Sequence, residues 1–105
     1  MEYRIHTRIP PEQVLERANR HFALEWRYGG NYKRGDDFVK LVKGAGLGRT
    51  FLAVFGIGSE VDVAQVAVYS EGDKTLVVIL SNRRDWANAL RLWAETELEG
   101  ERVTA

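Results

Sequence analysis

Leu76, Val77, Val78, Ile79 and Leu80 are apolar without a break. Successive side chains of a strand point to opposite faces, so a strand built from this run is hydrophobic on both sides and each side needs a cover. The run Phe51-Leu52-Ala53-Val54-Phe55 reads the same way. By contrast, Tyr3, Ile5, Thr7 and Ile9 alternate with Glu2, Arg4, His6 and Arg8, the period-two pattern of a strand with one buried and one wet face.

Pro10-Pro11-Glu12-Gln13 then gives a helix-start signal, proline at a first helical position with an acid in the first turn. Val14, Leu15, Ala18 and Phe22 recur at helical spacing and predict a helix over residues 11–24. A second helix is predicted over residues 83–98, where Trp86, Ala89, Leu90, Trp93 and Ala94 fall at i, i+3, i+4, i+7 and i+8 and Gly100 stops the pattern before a short frayed tail. Ser81-Asn82-Arg83-Arg84-Asp85 offers two candidate caps for it, with Asp85 near the positive end of the helix dipole.

Between the helices, β-prone runs cover residues 38–43, 50–57, 61–69 and 75–80. Gly44 to Gly48 reads as a turn joining the first two of these into a hairpin, and Glu71-Gly72-Asp73-Lys74 as a turn joining the last two. Residues 26–37 hold three glycines without a helical period and read as irregular or as a short hairpin. The expected order is therefore β-α-β-β-β-β-α: a single two-layer α+β domain over residues 1–105, with a five-stranded, mainly antiparallel sheet and two helices on one face.

Size and composition fit this reading. At 105 residues there is room for one core, and hydrophobic and charged shares of 45% and 29% are those of a globular chain. The absence of cysteine excludes a disulfide scaffold, a zinc ribbon and a thiol nucleophile. No membrane span is expected, and Met1-Glu2-Tyr3-Arg4 lacks the apolar core of a secretory signal, which makes the cytoplasm the expected location. Net charge is zero but uneven: residues 1–50 hold ten Lys/Arg against six Asp/Glu, residues 51–105 five against nine. The zero total argues against a dedicated nucleic-acid binder, while the asymmetry suits association between chains.

Candidate chemistry is sparse. Gly44-Ala45-Gly46-Leu47-Gly48-Arg49-Thr50 resembles a phosphate cradle, but a dinucleotide fingerprint needs glycine where Arg49 stands and a P-loop needs it where Lys43 stands. Both also need a following helix, and a strand follows here; a turn is the ordinary reading, with a loose anion site at Lys43 and Arg49 as the functional one. Trp26, Arg27, Tyr28, Tyr32, Lys33 and Arg34 interleave rings and cations as single-strand nucleic-acid platforms do, although Asp36 and Asp37 cancel the local charge. The same loop also reads as a core-anchored loop or as the gate of a ligand site. His6 and His21 are the only imidazoles and neither has a companion ligand, so no metal or cofactor is expected. Trp86 and Trp93 share one helix face, where tryptophans are ordinarily core.

The opening strand that ends in Ile9-Pro10-Pro11-Glu12-Gln13-Val14 and runs into a helix resembles the start of the START/polyketide-cyclase superfamily, as does the order of strand, helix, several strands and long helix. The similarity spans about residues 3–24 and the element order, and members of that superfamily usually carry more strands and a second short helix. The resemblance implies an apolar ligand held between sheet and C-terminal helix, where Trp86 and Trp93 would line the cavity; it carries over no catalytic residue.

Two readings of function follow. With two helices to cover one face of the sheet, the outward residues of the doubly apolar strands need another cover, and a second copy of the chain is the simplest. That makes a non-enzymatic binding or assembly domain, dimeric through the middle strands of its sheet, with Arg4, His6 and Arg8 at the rim. The alternative is a carrier or cyclase-like enzyme for a small apolar ligand, bound near Trp26, Tyr28, Tyr32, Trp86 and Trp93.

Overall fold

The computed structural model describes residues 1–24, 31–43 and 62–103. Along the chain lie β1 (Glu2–Thr7), α1 (Pro11–Leu24), β2 (Asn31–Arg34), β3 (Phe38–Lys43), β4 (Asp62–Glu71), β5 (Lys74–Ser81), α2 (Arg84–Glu97) and β6 (Glu101–Arg102). Among the described residues the strands form one antiparallel sheet of six in the order β2-β3-β4-β5-β1-β6. The class is α+β with both helices on one face, as the patterning predicts.

Among the described residues the sheet has six strands, where five are expected from the whole chain. Asn31–Arg34, in the stretch read as irregular or a short hairpin, pairs with β3, and Glu101–Arg102, in the stretch read as a frayed tail, pairs with β1. The expected hairpin between residues 38–43 and 50–57 is also corrected. Both edges of β3 are filled, by β2 and β4, and residues 50–57 themselves lie outside the described residues. The turn at Glu71 to Lys74 stands as expected: Glu71 pairs with Lys74 across a two-residue loop, and Gly72 opens it with φ of 65°, a value that an L side chain resists.

One core joins the layers. Ile5, Val39, Leu41, Ala64, Val66, Val68, Val77 and Ile79 alternate inward along the strands and meet Val14, Leu15, Ala18 and Phe22 of α1 and Trp86, Leu90, Trp93, Ala94 and Leu98 of the second helix and its cap. Helix α1 lies over β2, β3 and β4, and α2 over β5 and β1. The helices meet where the His21 ring stacks on Trp93, centroids 5.1 Å apart, and where Arg17 Nη1 donates to the Glu97 carbonyl at 3.0 Å.

Three hydroxyls buried on the helix side tie connections to the sheet. Thr7 Oγ1 donates to the Leu98 carbonyl at 2.6 Å and accepts from the Ile9 amide at 3.2 Å, while Thr75 Oγ1 donates to the Ile9 carbonyl at 2.7 Å. These bonds draw the chain out of pairing after Thr7, so β1 stops short of Ile9. Ser81 Oγ donates to the Val63 carbonyl at 2.7 Å and accepts from the Arg83 amide at 3.1 Å. Such partners remove the penalty of burying a hydroxyl without a hydrogen bond.

The start of α2 uses different residues from those expected to cap it. Asn82 Oδ1 accepts from the Val63 amide at 2.8 Å, and the N-cap position falls to Arg83, whose backbone is extended and whose side chain makes no capping bond. Arg83 instead spans three groups. Its Nε donates to Asp85 Oδ1 at 3.0 Å, its Nη1 to Asp62 Oδ2 at 3.2 Å, and its guanidinium carbon lies 4.5 Å from the Trp86 ring centroid. At the other end Leu98 is the C-cap, and Gly100 passes so close to β1 that a Cβ there would lie 2.3 Å from Ile5 Cγ2.

Candidate functional site

The sheet carries a second face, opposite the helices, and the strand register fixes what shares it. Crossing the sheet, Lys40, Gln65, Leu80 and Glu2 form one row, Phe38, Ala67, Val78 and Arg4 the next, and Tyr69, Leu76 and His6 a third. Val42 and Val63 pair beyond the first row. The middle of this face is apolar, and its margins are charged.

Exposure separates the middle from an ordinary core. Tyr69 is 49% and Leu80 38% exposed, whereas Ala67 and Val78 between them are buried. Phe38, Val42, Val63, Gln65 and Leu76 are half-buried. Next to Leu80, a shallow cleft of about 310 Å³ is lined by Met1, Lys40, Val63, Gln65, Leu80, Ser81 and Asn82. The Phe38 ring lies over the β2–β3 turn, where a Cβ on Gly35 would come within 2.1 Å of it.

The charges are not evenly spread. Lys33 and Lys40 are paired directly across β2 and β3, on this face and exposed. Like charges in that position repel, and neither lysine has an ion-pair partner among the described residues. The opposite margin, β1 with β6, carries Glu2 and Glu101. Arg4 Nε meets Glu2 Oε2 at 3.4 Å, and His6 Nε2 meets Glu71 Oε2 at 3.1 Å. Arg4 and His6 thus sit at the rim that the alternating first strand predicts, while Arg8 lies beyond β1.

Other expected site residues fall elsewhere. Trp26, Tyr28 and Arg49 lie outside the described residues, as does the glycine-rich turn of residues 44–48. Tyr32 belongs to β2 opposite Leu41, and Lys43 ends β3 exposed, opposite Asp62. Trp86 and Trp93, the residues expected to line a ligand cavity, are 2% and 8% exposed and packed in the core. A cleft of about 500 Å³ does exist, at the end of the sheet where β1 leaves it, lined by Thr7, Arg8, Ile9, Lys74, Leu98 and Glu99 among others. It contains neither tryptophan. Among the described residues there is no group of three His, Cys, Asp or Glu placed to hold a metal, and no helix is long and apolar enough to cross a membrane.

Among the described residues, Asp85 is the carboxylate whose titration is displaced. The Arg83 guanidinium, hydrogen-bonded to Asp85, holds the Asp85 carboxyl below the usual carboxylate range, aided by backbone amides at the helix start. Both partners are substantially exposed, and the cluster joins β4 to α2. Its role is to fasten the helix start.

Residue alternation alone points to the apolar middle of the second face, but two features of it become visible only with the strand register. They are the Lys33–Lys40 pairing, which depends on how β2 folds back on β3, and the placement of Glu2 in the same row as Lys40. In comparisons with known proteins, no family model matches the chain and no curated protein is significantly similar to it.

Proposed function

We propose that this chain is a binding or assembly domain that forms a homodimer by packing the second faces of two sheets together. The single observation that carries the reading is the contiguous apolar patch on β4 and β5, with Tyr69 and Leu80 exposed around Ala67, Leu76 and Val78. Sheets pack face to face about 10 Å apart through such interdigitating side chains. Burying three or four of these side chains per subunit supplies roughly 5 to 10 kcal/mol of gross transfer free energy, against which the loss of rigid-body freedom is set.

Polar margins around an apolar centre are the arrangement expected of an interface between folded subunits. The residues between helix and sheet, in contrast, are filled by the core side chains themselves, so the patch rather than the helix layer is where a partner gains contact. The test is the oligomeric state. Light scattering of the 105-residue chain at micromolar concentration should give about twice the 12.0 kDa subunit mass, and Leu80→Glu should return it to the subunit mass without loss of secondary structure. A monomeric wild-type chain overturns the proposal.

A further inference from the structure

The charge layout of the second face selects how two copies meet. Resting on the dimer reading above, we infer that the two-fold axis runs parallel to the strands, between β4 and β5, so that β3 of each copy faces β1 of the other. A face-to-face pair of identical sheets has two aligned choices. An axis along the strands exchanges the two margins, whereas an axis across the strands sets each margin against its own copy.

The margins differ in sign. The β2–β3 margin presents Lys33 and Lys40, which repel each other within one chain, and the β1–β6 margin presents Glu2 and Glu101 with Arg4 in the row between them, one negative charge in excess. An axis along the strands brings Lys40 of one copy to Glu2 of the other, twice by symmetry, while Glu101 lies two rows away beside His6. Because Lys40 and Glu2 occupy one row, they face each other directly in this arrangement; Phe38 faces Arg4 in the next row, a ring beneath a guanidinium. At the centre Ala67 meets Val78, a small side chain against a larger one, and Tyr69 meets Leu76.

The geometry tolerates sheet twist. With strands about 4.8 Å apart, β3 and β1 lie about 7 Å either side of the axis. The usual crossing of about 30° between packed sheets shifts their residues by about one position there, within reach of lysine and glutamate side chains. Glu2 keeps its contact with Arg4, since its second carboxylate oxygen is open to Lys40 of the partner copy.

Charge reversal tests the axis separately from the dimer. Lys40→Glu alone sets two acids together at both contacts, Glu2→Lys alone sets two cations together, and each should weaken self-association roughly tenfold or more at low salt. Mixed, the two variants should form a heterodimer in which both contacts are restored, seen by native mass spectrometry as a mixed species well above the one-half expected from random exchange. As a second measurement, a zero-length carbodiimide cross-linker on the wild-type chain should join Lys40 of one copy to Glu2 of another. A wild-type monomer defeats the dimer reading and the axis with it. A wild-type dimer that Leu80→Glu dissociates, but whose charge variants mix at random and yield no Lys40–Glu2 cross-link, overturns the axis and leaves the dimer standing.

Discussion

The two faces of the sheet are made by the same strands and solve burial differently. On the helix side of β4 and β5, Ala64, Val66, Val77 and Ile79 are fully buried and Val68 nearly so, each packed against α1 or α2. On the other side the neighbouring residues range from buried Ala67 and Val78 to exposed Tyr69 and Leu80. Alternation places every second residue on each face, so an uninterrupted apolar strand states a demand for two covers. The helices answer one of them. What distinguishes the second face is its rim: where the helix side ends in buried threonines and a serine bonded to backbone, the second face ends in lysines, glutamates and an arginine.

That comparison sets the order of expected effects. Leu90→Ala or Ile79→Ala removes a fully buried side chain from the helix face and should destabilise the fold by about 2 to 5 kcal/mol in urea unfolding. Leu80→Glu, one residue along the same strand but on the other face, should leave the stability of the isolated subunit nearly unchanged. It should weaken association by roughly 2 to 4 kcal/mol per subunit, through lost apolar contact and a carboxylate forced into the interface. If Leu80→Glu instead unfolds the chain as Ile79→Ala does, the two faces are not distinct.

Intermediate effects sharpen the contrast. Gly35→Ala sets a methyl group against the Phe38 ring and should move it off the sheet margin, costing about 1 to 3 kcal/mol by overpacking and weakening association alongside, measured by urea unfolding and light scattering on one preparation. Thr75→Val leaves the Ile9 carbonyl without its donor and should lower stability by about 1 kcal/mol, with no change in oligomeric state. The smallest effect concerns Asp85. Its folded pKa is lowered, so its contribution is present above the unfolded carboxylate pKa of about 3.9 and is lost as pH falls through the lower folded value. Wild type should therefore hold a small stability advantage over Asp85→Asn near neutrality and lose it on acidification below about pH 4. An advantage that persists at the acid end contradicts the assignment of the Arg83–Asp85 pair.

Much of this architecture is legible in the residues. Helix α1 begins and ends where Pro11 and the spacing of Val14, Leu15, Ala18 and Phe22 put it, and each end of α2 lies within one residue of the predicted range 83–98, because a helical period is read locally. Pairing is not local. Asn31–Arg34 has no apolar alternation of its own and becomes a strand through β3, and Glu101–Arg102 pairs because Gly100 lets the chain pass against Ile5. Asn82 does not cap α2 for a related reason: it has the right chemistry for an N-cap, but the Val63 amide, nineteen residues back, claims its side-chain oxygen. Of the candidate site, the apolar content of β4 and β5 is plain in the sequence, while the row joining Lys40 to Glu2 exists only once three strand pairings are fixed.

Sedimentation equilibrium of the wild-type chain beside Leu80→Glu, at micromolar concentration and low salt, tests the central claim most directly. A dimer for the first and a folded monomer for the second is the predicted result. A wild-type chain that stays monomeric throughout the concentration range contradicts it.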